Sequence, residues 1–110
     1  MKTSELTGAA LDWAVAECEG EDYSPVTTYS GLGAEFPPTN YSTDWAQGGP
    51  IIERERIETG YDRTGRCSEP WIAATLERMI TGPTALTAAM RCYVASKLGN
   101  EVEIPGELTD

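Results

Sequence analysis

The most regular stretch of the chain is GPTALTAAMRCYVASKLG, at residues 82–99. Its apolar side chains recur with helical spacing, namely Leu86, Ala89, Met90, Tyr93, Val94 and Leu98. Proline is favoured in the first turn of a helix and glycine after its end, so Pro83 and a left-handed Gly99 are the predicted boundaries. At roughly 1.5–3 kcal/mol for each large buried side chain, this helix is expected to be a main support of the fold.

An earlier helix is predicted to begin after Thr7, whose hydroxyl would cap the first-turn amides while Leu6 folds back on Leu11. Its core face follows helical spacing and comprises Leu11, Ala14, Val15 and Cys18. Gly20 is expected to end the helix. Trp13 lies on the opposite side, so both faces of this helix are expected to be covered.

The segment YSTDWAQGGPII, at residues 41–52, combines helix-start signals with helix breakers. Ser42 or Thr43 is predicted to cap a helix whose first turn begins at Asp44. Pro50 removes an amide and crowds the carbonyl of Ala46, which predicts either a kink or a turn followed by a second helical start. A break beside two glycines would leave backbone groups free to meet a ligand.

Strands are indicated between the second and third helices. Ile57, Thr59 and Tyr61 alternate with polar residues or glycine, which predicts a half-buried strand followed by a turn at residues 63–66. Residues 71–76 are predicted to form another strand, although Pro70 leaves a short helix as the alternative. Residues 19–42 are expected to be irregular apart from a short strand at 26–29, and residues 100–110 to form an acidic tail with a short strand at 102–104.

The length of 110 residues predicts a single domain covering residues 1–110. The cysteines Cys18, Cys67 and Cys92 are odd in number and widely spaced, which predicts reduced thiols and no metal site. The first residues lack the apolar run of a signal peptide, and no segment has the apolar length of a membrane span. A cytoplasmic protein with no membrane partner is therefore expected.

The formal net charge is −10, and it is unevenly distributed. Residues 1–53 contain one basic side chain, Lys2, and nine acidic ones, whereas residues 54–97 contain seven basic and five acidic side chains. The overall charge repels a phosphate backbone within a Debye length of about 10 Å, so nucleic-acid binding is not expected. The second half could host a small anion, although its arginines could equally pair with the surplus acids.

Three stretches closely resemble the NinX-like proteins of lambdoid phages: LDWAVA at residues 11–16, YSTDWAQGGPIIERE at 41–55 and the helical stretch at 82–99. The resemblance implies a phage accessory protein of the host-takeover or anti-defence kind, in a family without an assigned activity, acting in the cytoplasm of an infected bacterial cell. More distantly, the Ser-Thr-Asp helix start and the late alanine-rich helix with Arg91 and Cys92 resemble the phage ABA sandwich domain. That resemblance implies an α+β fold in which two to three helices pack on a small antiparallel sheet.

The sequence contains few residues or motifs that are typical of a catalytic site. The chain has no histidine, so the usual general base near pH 7 and the commonest zinc ligand are both missing. A carboxylate pair such as Asp44 and Glu53 could transfer protons, but one acid at a helix start and another on the outer face are typical structural residues. A non-enzymatic protein without a cofactor or metal is therefore predicted.

A binding role fits the residues around position 45 better. Trp45, Tyr41 and Tyr29 could stack on a planar base, while hydroxyl and amide groups bind its edges or a ribose and helix-start amides with an arginine hold a phosphate. The predicted ligand-binding residues are Tyr41, Ser42, Thr43, Asp44, Trp45, Gln47, Arg54 and Arg91. The competing interpretation is structural, with core aromatics, helix caps, a surface amide and ion-paired arginines.

The leading hypothesis is a protein that traps a nucleotide-derived signalling molecule without cleaving it. The alternative is an inhibitor whose acidic first half docks on a basic host protein. A carboxylate site that hydrolyses a bound nucleotide is a third possibility. The doubly apolar first helix and Trp71 also predict a homo-oligomer, which is how small ligand traps often build their sites.

Overall fold

The computed structural model describes residues 2–20, 40–66 and 68–103. A short 3₁₀ turn, Thr3–Glu5, precedes helix α1, Gly8–Glu19. Helix α2, Trp45–Glu55, leads into strands β1, Glu58–Tyr61, β2, Trp71–Ala74, and β3, Met79–Gly82, and helix α3, Ala85–Leu98, follows the sheet. Three helices and a three-stranded antiparallel sheet confirm the predicted α+β fold.

The sheet has the order β1-β2-β3, and both pairings are antiparallel. Trp71 at the start of β2 is opposite Tyr61 on one side and Gly82 on the other. Strand β2 confirms the predicted strand over the helical alternative, although it ends at Ala74. Strand β3 was not predicted, because its four residues directly precede the helix-start signals and are too few to show a period.

Strand β1 lies where predicted, but its predicted half-buried character is wrong. All four of its residues are exposed, because β1 is an edge strand and α3 packs mainly against β2 and β3. The buried anchor is Ile57, one residue before the strand begins. The predicted turn is present, with Gly65 at a φ of 74°.

Helix α3 is the centre of the molecule. Every residue from Leu86 to Ala95 is buried, because the sheet packs on one side of the helix while α1 and α2 pack elsewhere on its surface. Leu98 was predicted to join the core, but it is 43% exposed in the last turn. Pro83 lies just before the helix instead of in its first turn, since Thr84 is the N-cap and accepts a hydrogen bond of 3.0 Å from the amide of Thr87.

The two glycines that were predicted to end helices, Gly20 and Gly99, are the C-cap residues of α1 and α3. Gly20 ends α1 in the left-handed conformation, with a φ of 77°. Gly99 also has a positive φ of 89°, but its ψ of −168° is extended, so it is not the left-handed stop that was predicted. Thr7 occupies the N-cap position of α1, yet its side chain accepts no capping hydrogen bond, which contradicts the predicted side-chain cap.

Of the two alternatives predicted at Pro50, the turn followed by a second helical start is absent. One helix runs from Trp45 to Glu55 with Pro50 inside it, so no second helical start occurs there. The cap is Asp44, whose carboxylate accepts from the amide of Ala46, and not Ser42 or Thr43. Because Pro50 and Ala46 are both exposed, water can satisfy the Ala46 carbonyl that the proline leaves without an amide partner.

The first helix packs as expected on its core side. Leu11, Ala14 and Val15 are fully buried, and Cys18 and Trp13 are half-buried against the same core. Cys18 and Cys92 are both free thiols. None of the helices in the described residues has the length and apolar character needed to cross a bilayer.

Some predicted features lie outside the described residues. These are the strand at 26–29, Tyr29, Cys67 and the tail from residue 104 onward. The predicted strand at 102–104 is not formed by Val102 and Glu103; instead, the neighbouring Glu101 makes an isolated antiparallel bridge with Lys2.

Candidate functional site

An open hollow of about 430 Å³ lies where the first turns of α2 and α3 meet. Its described lining consists of Ser42, Thr43, Trp45, Trp71, Thr84, Ala85, Leu86 and Thr87. The lining therefore combines two helix starts, the first residue of β2, two indoles and four hydroxyl side chains. Helix starts carry free amides and a partial positive charge, so this is a place where polar ligand groups can bind.

Gly48 brings the two helices together. A Cβ atom at this position would lie 2.4 Å from the carbonyl oxygen of Tyr41 and 2.7 Å from Cδ1 of Leu86. Only a glycine therefore lets α2 pack this closely on α3. This contact places Trp45, at the first position of α2, at the wall of the hollow.

The two indoles differ in their surroundings. Trp45 is 56% exposed, although tryptophan is highly buried on average in folded proteins. Trp71 is half-buried and meets the ring of Tyr61 edge-on, with the ring centroids 4.9 Å apart. The contact with Tyr61 holds the Trp71 ring in place. A ligand would therefore contact one fixed aromatic ring, Trp71, and one exposed aromatic ring, Trp45.

Ser42 is the most buried polar group of the lining, at 3% exposure. Its amide donates a 2.8 Å hydrogen bond to Oδ1 of Asp12, which ties the start of α2 to α1. Burial raises the pKa of Asp12, and the interactions with Ser42 oppose that rise. The Ser42 hydroxyl is thus close to Asp12, but its Oγ has no hydrogen-bond partner of standard geometry among the described residues.

Asp44 and Gln47 stabilise the start of α2 and do not line the hollow. Asp44 accepts from the amide of Ala46 at 2.9 Å and from Nε2 of Gln47 at 3.3 Å. Gln47 in turn accepts a 2.8 Å hydrogen bond from the amide of Asn40. These contacts connect the loop before α2 to the first turn of the helix.

We expect the substitution Asp44→Ala to lower the free energy of unfolding by about 0.5–2 kcal/mol, because it removes the N-cap of α2. Urea unfolding monitored by circular dichroism measures the loss. Asp44→Asn is the matched control, since asparagine also caps helices and should cost less. An alanine variant as stable as the wild type would show that the cap contributes nothing.

Arg54 lies at the far end of α2, in a cluster that joins all three helices. Its guanidinium donates to both carboxylate oxygens of Glu19, at 3.2 and 2.6 Å, and to Oε2 of Glu55 at 2.9 Å. It also donates a 3.1 Å hydrogen bond to the Tyr93 hydroxyl, which itself donates to Glu19. The hydrogen bonds from Arg54 are the main reason that the pKa of Glu19 is lowered.

Arg91 is almost fully buried, at 2% exposure. Its Nε donates to the carbonyl of Leu6 at 2.7 Å, and its Nη1 donates to the carbonyl of Thr81 at 2.8 Å and to Oε1 of Glu69 at 3.0 Å. Neither Arg54 nor Arg91 lines the hollow. Both have the structural surroundings of an ion-paired arginine.

The structure brings together three of the eight predicted ligand-binding residues, Ser42, Thr43 and Trp45. Tyr41 is instead buried in the core. Sequence reasoning did not assign Trp71, Thr84, Leu86 or Thr87 to the site. The threonines at the start of α3 carried a usable signal, because a second hydroxyl-rich helix start resembles the one at residues 42–44.

Comparison with protein families identifies a match for this chain. A family model described as "Bacteriophage P22, NinX" matches residues 2–97. The chain belongs to the NinX family. The match covers every described helix and strand except the last residue of α3, and it includes all the residues that line the hollow. A comparison with curated proteins gives no match.

Membership of the NinX family confirms the resemblance found in the sequence and makes this a phage protein. The family name carries no reaction or ligand with it. Among residues 2–20, 40–66 and 68–103, no group of three or more Cys, Asp or Glu side chains is placed to hold a metal ion. The geometry of the hollow is therefore the main structural guide to function.

Proposed function

We propose that this NinX-family protein binds a small nucleotide-derived molecule in the hollow between α2 and α3 and sequesters it without chemical change. The observation that carries the proposal is the exposed indole of Trp45 on the wall of an open hollow that Trp71 also lines. Base-on-aromatic stacking contributes about 1–3 kcal/mol per base in proteins that bind single-stranded nucleic acids. An accessible tryptophan therefore suits a ligand with a planar ring.

The size and polarity of the hollow support the same ligand class. Its volume of about 430 Å³ lies toward the lower end of the roughly 300–1,000 Å³ that small-molecule sites occupy. Hydroxyls from Ser42, Thr43, Thr84 and Thr87 supply donors and acceptors beside the indoles. Apolar ring surface together with a few polar groups matches a base attached to a sugar.

The lining favours binding over turnover. Among the described lining residues, no side chain is acidic, basic or a thiol. General acid–base catalysis needs a group that exchanges a proton near the working pH, and serine or threonine needs an adjacent base to act as a nucleophile. For a phage, removal of a signalling nucleotide from the host cell by binding alone would serve host takeover or evasion of defence.

A thermal-shift screen tests this proposal directly. The panel comprises ADP-ribose derivatives, cyclic dinucleotides and nucleoside monophosphates, and chromatography then shows whether the bound compound is recovered intact. We expect at least one class to raise the melting temperature and to be released unchanged. If no compound raises it, or if a product is released, sequestration is wrong.

We expect Trp45→Ala to weaken ligand binding about tenfold or more, because a stacking surface is lost. The free energy of unfolding should change little, since more than half of this side chain is already exposed. Leu76→Ala is the matched control, because Leu76 is fully exposed at the turn between β2 and β3 and does not line the hollow. Calorimetry that gives equal affinities for both variants would contradict the assignment of Trp45.

A protein-binding inhibitor is the second candidate. Leu76 is fully exposed and Met79 is 70% exposed, and both lie at the β2–β3 end of an acidic protein. Exposed apolar side chains on a protein of net negative charge suit a partner surface with apolar and basic groups. This candidate predicts that Leu76→Ala and Met79→Ala weaken a pull-down of one defined host protein, whereas Trp45→Ala does not.

A further inference from the structure

We infer that the ligand carries two planar rings joined through phosphate, as a dinucleotide does, and that its second ring stacks on Tyr61 just outside the hollow. The phosphate link would lie toward Arg63 and Arg66, in the turn that follows β1. The inference rests on the proposed function, because the first ring would occupy the hollow between Trp45 and Trp71. It narrows the ligand from nucleotides in general to molecules that contain two bases.

Tyr61 extends the aromatic surface of the hollow beyond its edge. Tyr61 and Trp71 are opposite each other in the register of β1 and β2, so their side chains lie on the same face of the sheet. Gly82 is the next residue in that row, and a Cβ atom there would lie 2.7 Å from the amide nitrogen of Ala88 in α3. The row therefore faces α3, on the side of the sheet where the hollow lies.

The Tyr61 ring is accessible to a ligand. Its exposure is 51%, because α3 packs mainly against β2 and β3 and leaves the edge strand β1 uncovered. Trp71 meets this ring edge-on, with 70° between the ring planes, so the contact covers at most one face of the Tyr61 ring. One ring of a ligand can therefore stack on Tyr61 while another part of the same ligand contacts Trp71.

Two arginines in the turn at residues 62–66 are available to bind phosphate. The side chains of Arg63 and Arg66 are exposed, and neither makes an ion pair in the described part of the chain. They differ in this from Arg54 and Arg91, whose guanidinium groups are held in ion pairs within the protein. A free guanidinium can bind two phosphate oxygens at once through parallel hydrogen bonds.

The two acidic side chains between β1 and β2, Asp62 and Glu69, have other partners. The Asp62 carboxylate accepts from the amide of Thr64 at 2.9 Å and from its hydroxyl at 2.6 Å. Glu69 forms its ion pair with Arg91. The turn therefore presents positive charge beside an exposed aromatic ring, whereas the described lining of the hollow has no charged side chain. A dinucleotide matches this division, with its bases on the rings and its phosphate on the turn.

The charge of the whole protein limits the length of the ligand. A net charge of −10 repels a long phosphate backbone within a Debye length of about 10 Å. Proteins that bind single strands surround the path of the strand with a positively charged groove. Two arginines in one turn attract a single linkage, so the inferred ligand is a dinucleotide and not an oligonucleotide.

Calorimetry with three sets of probes tests the inference. The probes are nucleoside monophosphates, the corresponding linear and cyclic dinucleotides, and single-stranded octanucleotides. The readout is the ratio of dinucleotide affinity to monophosphate affinity, because a variant that loosens Trp71 would weaken both and leave the ratio unchanged. Tyr61→Ala removes the second stacking ring, and Tyr61→Phe is the control that keeps it.

We expect the wild-type protein to bind at least one dinucleotide about tenfold or more tightly than either of its monophosphates. Tyr61→Ala should bring this ratio close to one, whereas Tyr61→Phe should keep it. Arg63→Gln and Arg66→Gln should each weaken dinucleotide binding by about threefold or more. Arg56→Gln is the matched charge control and should have a smaller effect, because Arg56 is also exposed but lies before the opposite end of β1.

A wild-type protein that binds dinucleotides no more tightly than monophosphates would overturn the inference and leave the proposed function standing. Equal ratios for Tyr61→Ala and Tyr61→Phe would overturn it too, as would effects of the two turn variants no larger than that of Arg56→Gln. An octanucleotide affinity that exceeds the dinucleotide affinity by more than about tenfold would indicate a single-strand groove instead. If neither monophosphates nor dinucleotides bind, the proposed function fails as well.

Discussion

Replacing Arg91 with alanine is expected to lower the free energy of unfolding by about 3–5 kcal/mol, because two carbonyls lose their donor at about 1–3 kcal/mol each and a large buried side chain is removed. This guanidinium is 2% exposed and joins the segment before α1, strand β3 and the loop before β2 through Leu6, Thr81 and Glu69. Alanine would leave the Leu6 and Thr81 carbonyls without their donor. It would also leave a cavity where α3 packs against its neighbours. Most domains are stable by only about 5–15 kcal/mol, so the variant should be close to unfolding.

Urea unfolding at neutral pH measures this loss of stability. Two further variants separate the contribution of the Arg91 hydrogen-bond geometry from that of its ion pair with Glu69. Arg91→Lys keeps the charge but loses the planar fork that reaches separate acceptors, so an intermediate loss is expected. Glu69→Gln should cost less than about 1 kcal/mol, because the Glu69 side chain is 37% exposed and its ion pair is screened by water. An alanine variant within about 1 kcal/mol of the wild type would contradict the role assigned to Arg91.

Replacing Gly48 with alanine is expected to destabilise the protein by about 1–3 kcal/mol, because the new methyl group would overlap a backbone oxygen and a buried leucine. The oxygen belongs to Tyr41 and cannot move aside as easily as the end of a flexible side chain; the other contact is Cδ1 of Leu86. The first turns of α2 must therefore shift relative to the segment that carries Tyr41. Because Trp45 is in the same helix, ligand affinity should fall as well.

Gly49→Ala is the matched control for this prediction. Apart from its chain neighbours, a Cβ at Gly49 would meet only the Trp45 ring, at an ordinary distance of 3.8 Å. Alanine is favoured over glycine in a helix interior by about 0.5–1 kcal/mol, but a Cβ directly before Pro50 disfavours the helical conformation, so the two effects oppose each other and a small net change is expected. Thermal unfolding should therefore show a clearly larger loss for Gly48→Ala than for Gly49→Ala. Equal losses would mean that the close approach at Gly48 does not control how α2 packs.

The helices were largely predictable from the sequence, whereas their ends and the sheet were only partly so. Apolar side chains at helical spacing located α1 and α3, because that spacing is kept over three or more turns. The helix starts were misassigned by one or two positions, because Asp44 caps α2 in place of the predicted Ser42 or Thr43, and Pro83, predicted in the first turn of α3, precedes its cap Thr84. Four-residue strands such as β3 carry too little pattern to be recognised.

The candidate site was predictable where it lies in one continuous segment and not where it is assembled by packing. Ser42, Thr43 and Trp45 are neighbours in sequence and line the hollow together. Trp71 and Thr84 reach it only because β2 and α3 are adjacent in the fold, which one sequence cannot show. Arg91 was predicted to help hold a phosphate together with helix-start amides, but three hydrogen-bond acceptors of the protein bind its guanidinium.

The most direct test of the proposed hollow is the indole N–H region of a ¹H–¹⁵N NMR spectrum during titration with nucleoside monophosphates. The chain has three tryptophans, each with one such signal, and single substitutions assign them. Trp45 and Trp71 line the hollow and Trp13 does not, so we predict saturable shifts of the first two signals and a stationary third. Signals of Trp45 and Trp71 that stay in place throughout the titration, or that move no more than that of Trp13, would contradict a nucleotide site at this position.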